Sequence, residues 1–99
     1  MKLEIDNIED LENALAEILV AWKAKLEGLK AAKKRTIKYA EFRAMGAWAL
    51  VPRYTDKFAA ESLGRFNGSG FTRTPADKSI AKFNKKRDAL IAKYGVTVK

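Results

Sequence analysis

The chain has 99 residues, 47% of them hydrophobic and 10% aromatic, with only 2 prolines and 6 glycines, so it reads as one domain over residues 1–99 with a core of its own. It has no cysteine and no histidine. That excludes disulfides, thiolate and imidazole metal sites, a cysteine nucleophile and a Ser-His-Asp triad. Acid–base chemistry would rest on Asp, Glu, Lys, Arg, Tyr or Ser, so no enzyme, catalytic residue, metal or cofactor is expected.

The net charge of +8 is unevenly placed: residues 1–22 carry −5 and residues 23–99 carry +13. A basic body suggests a polyanionic partner, with plain solubility as the competing explanation. The acidic opening is unlike a secretion signal, and the least polar run, AMGAWALVP, is too short to cross a bilayer. A cytoplasmic protein without membrane contact is expected.

In chain order, MKLEI alternates apolar and polar residues and predicts a short strand. Asp6 and Glu9 have the spacing of a capping box, so a helix should start there. Ile8, Leu11, Leu15, Ile18, Trp22, Leu26 and Leu29 then recur at every third or fourth position and mark one helix face. That spacing also resembles a coiled-coil seam, which offers a homodimer through the first helix. Thr36 is placed to cap a second helix, the alternative being one bent helix as far as Leu50.

Residues 37–51, IKYAEFRAMGAWALV, are apolar on nearly every face and predict a buried central helix, with Gly46 and nearby alanines admitting a close neighbour. Pro52 should end it. Thr55 or Asp56 should cap a short helix to about residue 65, with Phe58, Ala59, Leu63 and Phe66 inward. Thr74, Pro75 and Asp77 have the pattern of a helix start, and Gly95 that of its end. VTVK looks extended and is a partner for MKLEI in a short terminal β-ribbon. The expected class is therefore all-α: a mainly helical small domain of about four helices around a buried central one.

FNGSGFTRTPADK combines glycines, an arginine and a helix start, which together attract anions. It lacks the Lys-Ser/Thr of a P-loop and the third glycine of a dinucleotide fingerprint. A phosphate between Arg65 and Arg73 is the weaker surviving reading. Thr74 and Asp77 already satisfy the helix start in the competing one.

The stronger signal is KSIAKFNKKRDALIAKY. At about 100° per residue, Lys78, Lys82, Lys85, Lys86 and Lys93 fall within an arc of roughly 100°, opposite Ile80, Phe83, Leu90, Ile91 and Tyr94. Solvated faces usually mix signs, because like charges one turn apart repel. An anionic partner would relieve that repulsion. Arg87 projects from the apolar side and is expected to pair with Glu41 or Glu61, or to reach a ligand through a seam.

Lys33, Lys34 and Arg35, with Lys30 and Lys38, form a second basic group, for which the helix dipole is the competing explanation. Trp22, Phe42, Trp48, Phe58 and Phe83 are assigned to the core, leaving Tyr39, Tyr54 and Phe71 as exposed rings able to stack on bases. A carboxylate metal site at Glu9, Asp10, Asn13 and Glu17 is weighed against dipole compensation and set aside.

Two functions compete. One is a small basic protein that binds nucleic acid, DNA or RNA, through phosphate contacts with weak sequence preference. The other is a non-catalytic protein-binding module (an inhibitor, an adaptor or a phage-type virion assembly part) whose basic face docks on an acidic protein surface. The opening strand and capped helix are similar in pattern to small tailed-phage proteins and specify no family.

Overall fold

The computed structural model describes residues 4–62, 66–67, 70–71 and 74–99, with side chains for 4–60 and 74–99. Two long helices carry the domain: α1 (Ile8–Ala31) and α4 (Pro75–Lys93). Glu12 accepts a hydrogen bond from Ser79, and Glu27 accepts one from Tyr94. The two pairs are fifteen residues apart on both helices, so α1 and α4 run parallel and side by side. A parallel pair needs a long connection, and residues 32–74 supply it.

The apolar stripe of α1 faces this partner. Leu11, Leu15, Trp22 and Leu26 are buried against Ala76, Phe83 and Ile91 of α4 and Phe58. Each large side chain so buried contributes about 1.5–3 kcal/mol. Trp22 is wholly buried and its Nε1–H donates to the Met45 carbonyl at 2.7 Å, so the indole loses no hydrogen bond on burial. Self-association through α1 would have to use its other face, where Val20 is exposed.

The cap of α1 lies one residue later than expected. Asn7 Oδ1 accepts the Asp10 N–H at 2.8 Å, and Asp10 Oδ2 accepts the Asp6 N–H at 3.2 Å. Asp6 is engaged elsewhere, taking the Thr55 hydroxyl at 3.0 Å. Ile5 is tied to the same segment: its N–H donates to the Arg53 carbonyl and its carbonyl takes the Thr55 N–H.

Two further expectations are corrected. Among the described residues VTVK pairs with another segment than MKLEI, whose residues 1–3 lie outside the described residues. Its strand β4 (Thr97–Val98) lies parallel to β1 (Thr36–Ile37), with Thr36 opposite Thr97 and Ile37 opposite Val98. The parallel helices explain this, because they deliver both following segments to one end of the molecule. Ile5 instead forms a lone bridge with Tyr54. Thr36 therefore sits in a strand, not in a cap.

Residues 37–51 are not one helix. They comprise the end of β1, then α2 (Tyr39–Ala44), then most of a 3-10 segment (Ala47–Arg53). Gly46 is extended between the two helical pieces, and Lys38 is extended before α2. The breaks bury Ile37, Ala47 and Leu50 but leave α2 with no fully buried residue. Trp48 is 75% exposed, which overturns its assignment to the core.

The starts of the two remaining helices follow their sequence signals, whereas the short β-hairpin between them is not among the expected elements. Thr55 Oγ1 accepts the Phe58 N–H at 3.2 Å ahead of α3 (Asp56–Ser62). Phe66–Asn67 (β2) and Gly70–Phe71 (β3) pair antiparallel. The inward positions expected of Leu63 and Phe66 lie outside the described side chains. Thr74 and Asp77 form a complete capping box on α4, with Pro75 in the first turn.

Candidate nucleic-acid interface

Capping at Thr74 sets the rotational phase of α4, and burial of Phe83 and Ile91 fixes which side faces inward. Lys78, Lys82, Lys85, Lys86 and Lys93 are consequently all exposed on the far side. From Lys78 to Lys93 the ridge spans about 22 Å of helix axis. None of the five forms an ion pair among the described residues.

The ridge has one acid that the helix alone does not reveal. Glu12 of α1 lines a shallow groove of about 430 Å³ together with Lys78, Ser79, Lys82 and Lys85. Its carboxylate takes the Ser79 hydroxyl at 3.3 Å. Three lysines against one glutamate leave that groove positive.

Parallel packing places both helix N-termini at one end and both C-termini at the other. Glu9, Asp10 and Asp77 occupy the first turns, and Lys30 and Lys93 the last. The backbone dipoles thus account for Lys30, Lys93 and in part for the exposed Lys33, Lys34 and Arg35 just beyond α1. They do not account for Lys78, which stands by the N-terminus of α4 where a cation is disfavoured, nor for Lys82, which lies mid-helix beyond the reach of the dipole.

The same arrangement brings the second basic group to Lys93. The Arg35 carbonyl takes the Thr97 N–H at 2.8 Å, and the Lys99 carbonyl takes the Tyr39 N–H at 2.7 Å. Lys33, Lys34, Arg35, Lys38, Lys93 and Lys99 therefore surround one small ribbon. Arg65 and Arg73 lie outside the described residues. The Asp77 carboxylate already accepts the Thr74 N–H at 2.9 Å at the neighbouring helix start.

Arg87 does not meet Glu41. Glu41 pairs with Lys25 at 2.9 Å, and this hydrogen bond and charge hold its carboxyl below the ordinary value, with Lys38 and Lys34 adding to the effect. Arg87 pairs with its neighbour Asp88 at 3.0 Å and lays its guanidinium over Phe42, 4.3 Å from the ring centroid. A Cβ at Gly46 would lie 3.7 Å from Arg87 Nη1, an ordinary contact distance, so the seat of Arg87 does not require a glycine there.

Sequence reasoning missed the groove that Arg87 helps to line. It has a volume of about 770 Å³ and includes Tyr39, Phe42, Arg43, Trp48, Tyr54 and Arg87. Tyr54 packs edge-on against Phe58, and burial, then the nearby Asp77 charge, raise its phenol pKa. A signal was present: 37–51 holds more large apolar residues than its short helices can bury. By helix phase the groove positions of α4 lie on roughly the opposite side from the lysine ridge.

Among the described residues no helix is long and apolar enough to cross a membrane. Comparison with protein-family models, curated proteins and solved structures finds no match for the chain.

Proposed function

We propose that this protein binds nucleic acid without catalysis, in the cytoplasm, by setting phosphates along the lysine ridge of α4 and on Lys33, Lys34 and Arg35. The carrying observation is the position of Lys78 and Lys82: exposed, on one face and one turn apart, so that they repel each other, with Lys78 at the start of α4 where the dipole opposes it. Lysine contacts to phosphate carry little base information, so sequence preference is weak. The test is fluorescence anisotropy with labelled DNA and RNA at two salt concentrations. The five ridge lysines alone give a slope of log affinity on log salt of about −4.5, or roughly a 500-fold loss between about 50 and about 200 mM, and Lys33, Lys34 and Arg35 steepen it by about 0.9 each. Absence of binding at the lower salt removes the proposal.

A second reading draws on the groove. Exposed Trp48 and Tyr39 beside Arg43 have the composition of a protein-interface hot spot. A non-catalytic module with an acidic protein partner would use this face, and its affinity would fall less steeply with salt.

A further inference from the structure

Tyr39, Phe42 and Arg87 form a continuous stack. The Tyr39 and Phe42 rings are 25° from parallel with centroids 6.2 Å apart. The Arg87 guanidinium lies over Phe42 and also reaches within 5.7 Å of the Phe83 ring centroid. The stack runs outward from the buried Phe83 to Tyr39, which is 56% exposed. Trp48, 75% exposed, lines the same groove. Two open aromatic rings, one backed by an ordered stack, are a platform with room for further flat groups.

The surrounding charge selects the occupant. Arg43 lies one helical turn from Tyr39 and also lines the groove. Lys38 precedes Tyr39, and the exposed Lys33, Lys34 and Arg35 lead into the strand before it. Asp77 is the acid lining the groove, and its carboxylate is committed to the α4 cap. A ligand with π faces and regularly spaced negative charge fits both features.

We propose that the groove takes unpaired nucleobases, stacked on Tyr39 and Trp48, with their phosphates on Arg43 and the bases of residues 33–38. The proposal rests on the nucleic-acid reading and specifies strand type: single strands are preferred to duplex. The connection to the ridge runs along the ribbon end. Lys93 closes α4, β4 follows, and the Lys99 carbonyl holds the Tyr39 N–H, so a strand leaving the ridge reaches the groove without crossing α4. Base stacking on aromatic side chains tolerates any sequence, in keeping with weak specificity.

The two tryptophans give a direct readout, because Trp22 is fully buried and Trp48 is open. Titration with oligo-dT should quench the emission lost in Trp48→Phe and leave the Trp22 signal in place. Trp48→Ala and Tyr39→Leu should each weaken oligo-dT binding by about tenfold and leave binding to a mixed-sequence duplex unchanged. Circular dichroism confirms the fold of each variant; Trp48→Ala removes an already exposed ring, so the test survives failure of Tyr39→Leu to fold. Oligo-dT that binds with a steep salt slope but neither quenches Trp48 nor responds to the variants overturns this proposal and leaves the ridge reading standing. No binding of either oligonucleotide at low salt removes both. Poly-glutamate that quenches Trp48 as strongly as oligo-dT, with the same loss in the variants, makes the groove a site for acidic protein and overturns it.

Discussion

Lys33 and Gly95 hold the same position at the ends of two parallel helices, and both have left-handed backbone, with φ of 57° and 66°. The hydrogen bonds match. Lys34 N–H reaches the Leu29 carbonyl and Lys33 N–H the Lys30 carbonyl; Val96 N–H reaches Ile91 and Gly95 N–H reaches Ala92. Both ends are Schellman motifs, in which glycine is the favoured residue. A lysine there costs about 1 kcal/mol, because its Cβ crowds the following carbonyl. Lys33→Gly should therefore raise stability by about 1 kcal/mol in urea unfolding and, under the nucleic-acid proposal, reduce the salt slope by about 0.9. Gly95→Ala should lower stability by a similar amount.

Arg87 is held by shape more than by charge. Its side chain is 11% exposed, and the partner carboxylate of Asp88 is 62% exposed. Arg87→Met should lower stability by about 1–2 kcal/mol through loss of the Phe42 contact. Arg87→Lys should restore little of it, because an ammonium lacks the flat face that stacks on the ring. Thermal unfolding resolves this, since about 1 kcal/mol moves the midpoint by roughly 4–8 °C in a domain of this size.

Charge reversal at Lys82 and Lys86 should separate binding from folding. Both residues are exposed and make no ion pair among the described residues. Lys82→Glu with Lys86→Glu should keep the free energy of unfolding within about 0.5 kcal/mol of wild type, because surface changes away from caps and cores are small. Under the proposal, nucleic-acid affinity should fall by more than the loss of two contacts, since two repulsions are added. Unchanged affinity would remove the ridge from the site.

The pH dependence has two signed parts. Glu41 is depressed by Lys25, so its share of stability is present above the ordinary carboxylate pKa and disappears as pH falls through the lower folded-state value. Lys25→Met should differ from wild type near neutral pH and converge with it in acid. Tyr94 is raised by its hydrogen bond to Glu27, and Tyr54 by burial. Their shares are intact below the ordinary phenol value of 10.0 and disappear as pH climbs through the higher folded-state values. Ultraviolet titration should show phenolate appearing at higher pH in the native chain than in urea, with Tyr94→Phe removing part of the delay.

Local chemistry made several elements legible in the sequence. Thr74-Pro75-x-Asp77 and Gly95 mark both ends of α4, and the lysine ridge follows from helix phase once those ends are known. Thr55 caps α3 for the same reason. Trp48 was not legible, because an apolar residue in an apolar run reads as core whether or not anything covers it. Asn7 displaced Asp6 as cap because Thr55, distant in sequence, bonds to Asp6.

The sequence by itself determined the mainly helical class, the charge asymmetry, the exclusion of cysteine and histidine chemistry, and the exposed lysine face of α4. These depend on composition and on contacts within one or two turns. Only the tertiary structure decided that α1 and α4 run parallel, that β1 pairs with β4, that Glu12 borders the ridge, and that Tyr39 and Trp48 open onto one groove. Those outcomes depend on pairing between residues dozens of positions apart, and such pairing leaves no periodic mark in the chain.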